Sequence, residues 1–162
     1  MPIDDKRVAS EGAGFGVIAG VIFLAAEMVD ARSVGDPLRS AASVVLGRDA
    51  LDSSLGTTFL IGLVVELAFA ALFGLVYAVI EARLPEDARR RTGTQIAIGA
   101  AYASLVWLVS YDIVAMNLMP WLMPMTPLRH LVTQTLFYGA PLGWMFAAAD
   151  RRVPRVIRPS VG

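Results

Sequence analysis

Residues 57–80 read TTFLIGLVVELAFAALFGLVYAVI, 24 positions interrupted by one charge, Glu66. A helix rises ~1.5 Å per residue and ~20 apolar residues cross the ~30 Å hydrocarbon core of a bilayer, so this stretch is expected to span a membrane with some tilt. Three more stretches outward from it share its character. Residues 92–111 form an uncharged run of 20 that ends at Asp112, and residues 131–149 form one of 19 between His130 and Asp150. Toward the N-terminus, residues 12–26 (GAGFGVIAGVIFLAA) are uncharged between Glu11 and Glu27 and continue through Met28 and Val29. The expectation is an all-α, polytopic membrane protein: a four-transmembrane-helix bundle with spans at 12–31, 57–80, 93–116 and 130–149, making residues 1–162 one integral membrane domain.

Composition agrees with that medium. Of the 162 residues 56% belong to the AVILMFWYC set and 17% are charged, with mean hydropathy +0.61, against ~45–50% and ~25% in soluble domains. A soluble monomer is excluded. Fourteen Lys and Arg against fourteen Asp and Glu leave no basic excess for phosphate contacts, so no nucleic-acid partner is expected. The absence of cysteine removes disulfides, thiolate nucleophiles and iron–sulfur ligands, and a single histidine removes bis-histidine haem. HExxH, GxSxG, P-loop and GxGxxG are all missing, so no enzymatic activity is expected. GAGFG at 12–16 sits inside an apolar span with no strand before it, which rules out a dinucleotide loop.

Basic residues orient the spans. Lys6, Arg7, Arg83, Arg89, Arg90, Arg91, Arg151, Arg152, Arg155 and Arg158 lie on one side, and Arg32, Arg39, Arg48 and Arg129 on the other. Ten against four predicts cytoplasmic N- and C-termini. The leader MPIDDKRVASEG carries three acids and two bases, unlike the positive start of a secretion signal, so residues 1–31 are expected to stay as a helix rather than be cleaved after Ala31. The plan resembles that of small four-helix inner-membrane proteins of bacteria, which implies a bacterial-type inner (plasma) membrane; no motif points to one family.

Two loops on the outer side carry structure. Asp36 and Pro37 read as N-cap and first helical position, Leu38, Ala41, Ala42, Val45 and Leu46 recur at helical spacing, and Gly47 supplies a stop, so residues 36–47 are expected to form a short outer amphipathic helix. Residues 116–129 (MNLMPWLMPMTPLR) contain Pro120, Pro124 and Pro127, which forbid one regular helix and suggest an interfacial or shallow re-entrant segment. Its thioethers, Met116, Met119, Met123 and Met125, suit Cu(I) chemically, although methionine is also the usual filler of adaptable apolar surfaces.

Small residues mark the packing faces. Gly12, Gly16 and Gly20 form a GxxxGxxxG series, with Glu27 on nearly the same line; Gly62, Glu66, Ala70 and Tyr77 share a face of the second span; Gly139 and Gly143 form a further pair, and Gly99, Ala100, Ala101, Ala103 and Ser104 line the third span. An ionisable residue inside a span costs at least ~2.5–3.5 kcal/mol and is expected to face protein or water. Glu66 is the foremost case, ~13 Å below the outer end of its span. Glu27, Asp30, Asp112 and His130 fall near the same leaflet, with Thr133, Gln134, Tyr111 and Asn117 beside them. A polar funnel from Asp30, Asp112 and His130 through Glu27 and Gln134 to Glu66 is therefore a candidate proton or cation path. Glu27, Glu66, Asp112 and His130 are also the candidate ligands for a divalent metal, without the Glu-x-x-His pair common in helix bundles. The first expectation for function is an accessory or scaffolding subunit, a homo-oligomer or member of a larger membrane complex that uses its glycine faces as contact surfaces. The alternative is a small proton or cation transporter, or a metal-binding membrane protein, using the intramembrane carboxylates and His130. No cofactor is expected beyond the divalent or Cu(I) possibilities.

Overall fold

A computed structural model describes residues 5–122 and 127–152, with side chains from residue 8 onward. Met123, Pro124 and Met125 of the proline-rich loop, the side chains of Lys6 and Arg7, and Arg155 and Arg158 lie outside the described residues. The described chain is helical, with no strand. Helix α1 covers Asp5–Asp30, α2 Gly35–Leu46, α3 Leu55–Glu81, α4 Glu86–Arg90 and α5 Thr92–Leu108. From α5 the chain continues through a wide π turn, Val109–Ala115, into α6, Met116–Leu118. Helix α7, Pro127–Gln134, runs through a second π turn, Thr135–Gly139, into α8, Ala140–Arg152.

Three helical stretches are long and apolar enough to cross a membrane: Val8–Asp30, Leu55–Glu81 and Thr92–Leu118. The fourth expected span falls on α7, its π turn and α8. That run is helical throughout, but its first turns carry Arg129, His130, Thr133 and Gln134, so it lacks the uniform hydropathy of the other three.

Close approach of backbones sets the packing. Helix α1 lies against α3 and α5 against α7–α8, and α1 also touches the α7–α8 helix. A methyl built on Gly16 would meet the Ala70 carbonyl and stand 2.9 Å from the Gly74 Cα; one built on Gly20 would strike the Ala70 side chain, and one on Gly12 would stand 2.9 Å from the Ala78 Cβ. In the second pair Gly99, Gly139 and Gly143 meet one another and the Gln95 backbone at the same closeness. In lipid there is no hydrophobic drive between helices, so small residues that let whole backbones touch supply the dispersion energy that holds them. The glycine faces, expected to serve as contact surfaces toward other chains, are spent within this one. The outward residues are large and apolar instead, among them Ile18, Val21, Leu60, Val64, Leu72 and Leu105, as lipid-facing positions require.

Tyrosines bolt the pairs together. Tyr138 donates to the Ala70 carbonyl (2.9 Å), Tyr102 to the Phe73 carbonyl (2.7 Å) and Tyr77 to Oε1 of Gln95 (2.7 Å). Around them Ala19, Ala103, Leu142, Met145 and Phe146 complete the core.

Helix α2 packs on α3 at the end of the bundle opposite the start of α1 and the end of α8. Leu38 is fully buried, and its carbonyl touches Gly62, where any side chain would collide. Asp36 is not the N-cap that its position before Pro37 suggests. The helix starts two residues before Pro37, at Gly35; Ser33 Oγ accepts the Asp36 N–H at 3.2 Å, and the Asp36 carboxylate pairs with Arg39 at 3.0 Å. Gly47 does end the helix, at φ 82°, ψ −179°, a conformation nearly closed to residues with a Cβ.

Candidate functional site

Glu27 lies in the last turn of α1 and His130 in the first turn of α7. Because α1 and the α7–α8 helix are neighbours, the two residues meet: His130 Nδ1 and Glu27 Oε1 are 3.0 Å apart, with side chains only 13% and 18% exposed. Which of the two atoms donates depends on the tautomer of the ring. Phe23 and Tyr111 hold the imidazole by edge-to-face contacts at centroid distances of 5.8 and 4.7 Å. The other ring nitrogen, Nε2, is buried without a hydrogen-bond partner in the described structure. A buried, unbonded nitrogen costs free energy in a purely structural role, and it is also the atom a proton-handling histidine needs free.

Glu66 lies deeper on α3. It is half-buried and within electrostatic reach of both Glu27 and His130. Tyr111 and Tyr138 in turn feel its charge. The π turn matters here, since it carries Tyr111 onto the His130 ring while Trp107, one helical turn earlier, stacks on Tyr111 at 5.4 Å. π turns are rare and recur at functional sites.

Of the residues proposed for the funnel, Glu27 and His130 are therefore in contact, and Glu66 is within electrostatic reach of both. Gln134 is buried one turn beyond His130. Asp112 stands apart: it is exposed, about 140° round the helix from the buried Trp107. Asp30 stays at the rim in an ion pair with Arg129, and Asn117 is exposed and bonds its own helix at Ile113 (2.6 Å). Among the described residues no three of His, Asp and Glu gather closely enough to hold a metal ion. Half of the methionine set proposed for Cu(I) lies outside the described residues.

A second polar group occupies the opposite end. Arg89 of α4 reaches Asp150 at 3.3 Å and Glu81 at 3.9 Å, both acids being almost fully buried, and Arg151 bonds Thr92 beside them. Reading by span boundaries treated Glu81 and Asp150 only as ends of apolar runs. Tyr102, Tyr138 and Gln95 were also not picked out, although the spacing was there to find: Gln95 and Tyr102 are seven apart on one helix, and His130, Gln134 and Tyr138 are four apart on another.

No family model, no curated protein and no solved structure matches this chain.

Proposed function

We propose that this is a small multi-pass membrane protein that moves protons or small cations, with the Glu27–His130 pair as the entry group and Glu66 as the carboxyl that receives the charge from it. The observation that carries the proposal is the buried imidazole whose Nδ1 is held by Glu27 while Nε2 is left unbonded, with a third ionisable group in electrostatic reach. Ionisable groups inside a bundle are costly, and a cluster of three from three helices is the arrangement found along ion pathways. The glycine faces named as contact surfaces for an accessory subunit pack against this chain's own helices.

The proposal includes four crossings, the fourth being the 26-residue helical run of α7, its π turn and α8, with both termini in the cytoplasm of a bacterial-type inner membrane. The charge count supports it. A C-terminal reporter active only in the cytoplasm is expected to be active. Activity of an external reporter at that end instead would remove the fourth crossing or invert the chain.

The functional test is flux. Purified protein in phosphatidylethanolamine–phosphatidylglycerol vesicles, with an internal pH dye and a potassium–valinomycin clamp, is expected to dissipate an imposed pH gradient. Glu66→Gln, which keeps shape and hydrogen bonding, is expected to lower the protein-dependent rate at least ~100-fold, the scale of a lost acid–base group, while eluting from a sizing column like the parent. Equal rates for parent and variant would end the proposal.

A further inference from the structure

A line of polar groups continues from Glu66 to the other end of the bundle. Along α3 the relevant positions are 66, 70, 73, 77 and 81, spaced by three or four, which keeps them on one stripe of the helix. At position 70 the backbone carbonyl holds the Tyr138 hydroxyl; at 73 it holds that of Tyr102; Tyr77 itself reaches Gln95; and position 81 is Glu81, tied to Arg89 and Asp150. Neighbours along this series sense one another: Tyr138 lies in electrostatic reach of Glu66 and Tyr102, Tyr77 in reach of Glu81, and the Tyr77 and Tyr102 rings are 5.2 Å apart. From Glu66 to Glu81 the stripe covers ~22 Å at 1.5 Å per residue. With the Glu27–His130 pair above it and Arg89 below, it runs nearly the length of the bundle.

The surroundings of this stripe are closed. Tyr77, Gln95, Ala103 and Leu142 are fully buried, and the helices beside them touch backbone to backbone at Gly16–Gly74 and Gly99–Gly139. A hydrated metal cation has no room there, whereas a proton needs only a succession of hydroxyls, amides and single waters. Each tyrosine hydroxyl spends its hydrogen on an acceptor and keeps lone pairs with which to receive one. Gln95 Nε2 is fully buried and has no hydrogen-bond partner in the described structure, so a polar atom is present at mid-stripe with nothing yet to bond.

We infer that the transported species is the proton, and that Tyr138, Tyr102 and Tyr77 with Gln95 form the relay that carries it between Glu66 and the Glu81–Arg89–Asp150 group. This rests on the function proposed above. At each hop a bridging water gives a proton to a hydroxyl oxygen, and the hydroxyl's own hydrogen turns from the carbonyl or amide oxygen that holds it to the next water, so that one proton enters and one leaves; Gln95 fixes the Tyr77 hydroxyl through Oε1 and passes no proton itself. Structural stapling of the helix pairs is the same hydroxyls' other role, and the experiment has to separate the two.

The vesicle assay above, run with Tyr77→Phe, Tyr102→Phe and Tyr138→Phe, does so, because phenylalanine keeps the ring contacts and removes only the hydroxyl. Each variant that elutes as folded protein is expected to conduct protons at least ~10-fold more slowly than the parent, with thermal midpoints close to it. A second dye reports sodium, and no protein-dependent sodium entry is expected. Parent conductance that Glu66→Gln abolishes but the folded tyrosine variants retain would overturn the relay and leave the Glu66 site standing. Sodium entry at the proton rate would overturn the assignment of the proton. A parent that conducts nothing would take down the proposed function and the relay together. Should a tyrosine variant not fold, Gln95→Leu tests the same step, and its unchanged proton rate counts against the relay.

Discussion

Gly16→Val is expected to abolish the folded protein, while Gly14→Val, two residues away on the same helix, is expected to leave it intact. The contrast isolates packing from everything else about the substitution. Both positions lie inside α1, both replacements add the same apolar surface in lipid, and both carry the same helix propensity. At Gly14 a Cβ meets nothing within 4 Å; at Gly16 it runs into the Ala70 carbonyl and the Gly74 Cα of α3. Backbone cannot rotate aside as a side chain does, so the helices have to separate. Overpacking of a side-chain core costs ~1–3 kcal/mol; prising α1 off α3 also loosens the Tyr138–Ala70 bond and parts Glu27 from His130, which places this substitution above that range. Size-exclusion profiles in mild detergent check it: a sharp parent-like peak for Gly14→Val and loss of the monodisperse peak for Gly16→Val. Superimposable profiles for the two would mean that the α1–α3 contact is not what holds the bundle.

The difference between these two glycines also shows what the sequence could tell. Charge-free length gives four spans, and three of them are helices long and apolar enough to cross a membrane, because that signal is a sum over twenty residues and tolerates local error. Spacing found the small-residue faces, since Gly12, Gly16 and Gly20 repeat every four residues, but it gave no partner, and the partner decides whether a face serves the chain's own fold or an association between chains. The polar group was legible in part for a related reason. Glu27, Glu66 and His130 stand out as ionisable residues in apolar runs. Asp112 stands out equally and is exposed, because a place at the end of an apolar run does not say which way a side chain faces, and position 112 lies about 140° round the helix from the buried Trp107. Tyr102 and Tyr138 are hidden by their chemistry: a Tyr in a membrane span reads as an interfacial anchor or as aromatic filler until a backbone carbonyl is seen at its hydroxyl. Asp36 shows the local limit: the helix starts two residues ahead of the motif, with Val34 at the cap position, Ser33 accepting the Asp36 N–H and Arg39 pairing with the carboxylate.

Replacing His130 with Phe is expected to destabilise the protein more than replacing Glu27 and His130 together. Phe fills much the same volume between Phe23 and Tyr111, so cavity formation is small and the readout is electrostatic. What the single substitution leaves behind is a Glu27 carboxyl, 18% exposed, facing an aromatic ring; a buried polar group that loses its partner costs ~1–3 kcal/mol, and one that keeps its charge costs more. In Glu27→Leu/His130→Phe both polar groups are gone and the orphan with them, so much of that cost returns. The coupling from a double-mutant cycle of Glu27→Leu, His130→Phe and their combination is therefore expected near ~1–2 kcal/mol. That is at the upper end for interhelical hydrogen bonds in membranes, whose average is ~0.6 kcal/mol because chains unfolded in lipid find other partners; the enclosure of this pair by two rings is the reason to expect the upper end. Unfolding in mixed micelles with rising sodium dodecyl sulfate gives the four free energies. Additive single-substitution costs would show that Glu27 and His130 stand side by side without interacting, and the entry group of the proposed path would then lose its basis.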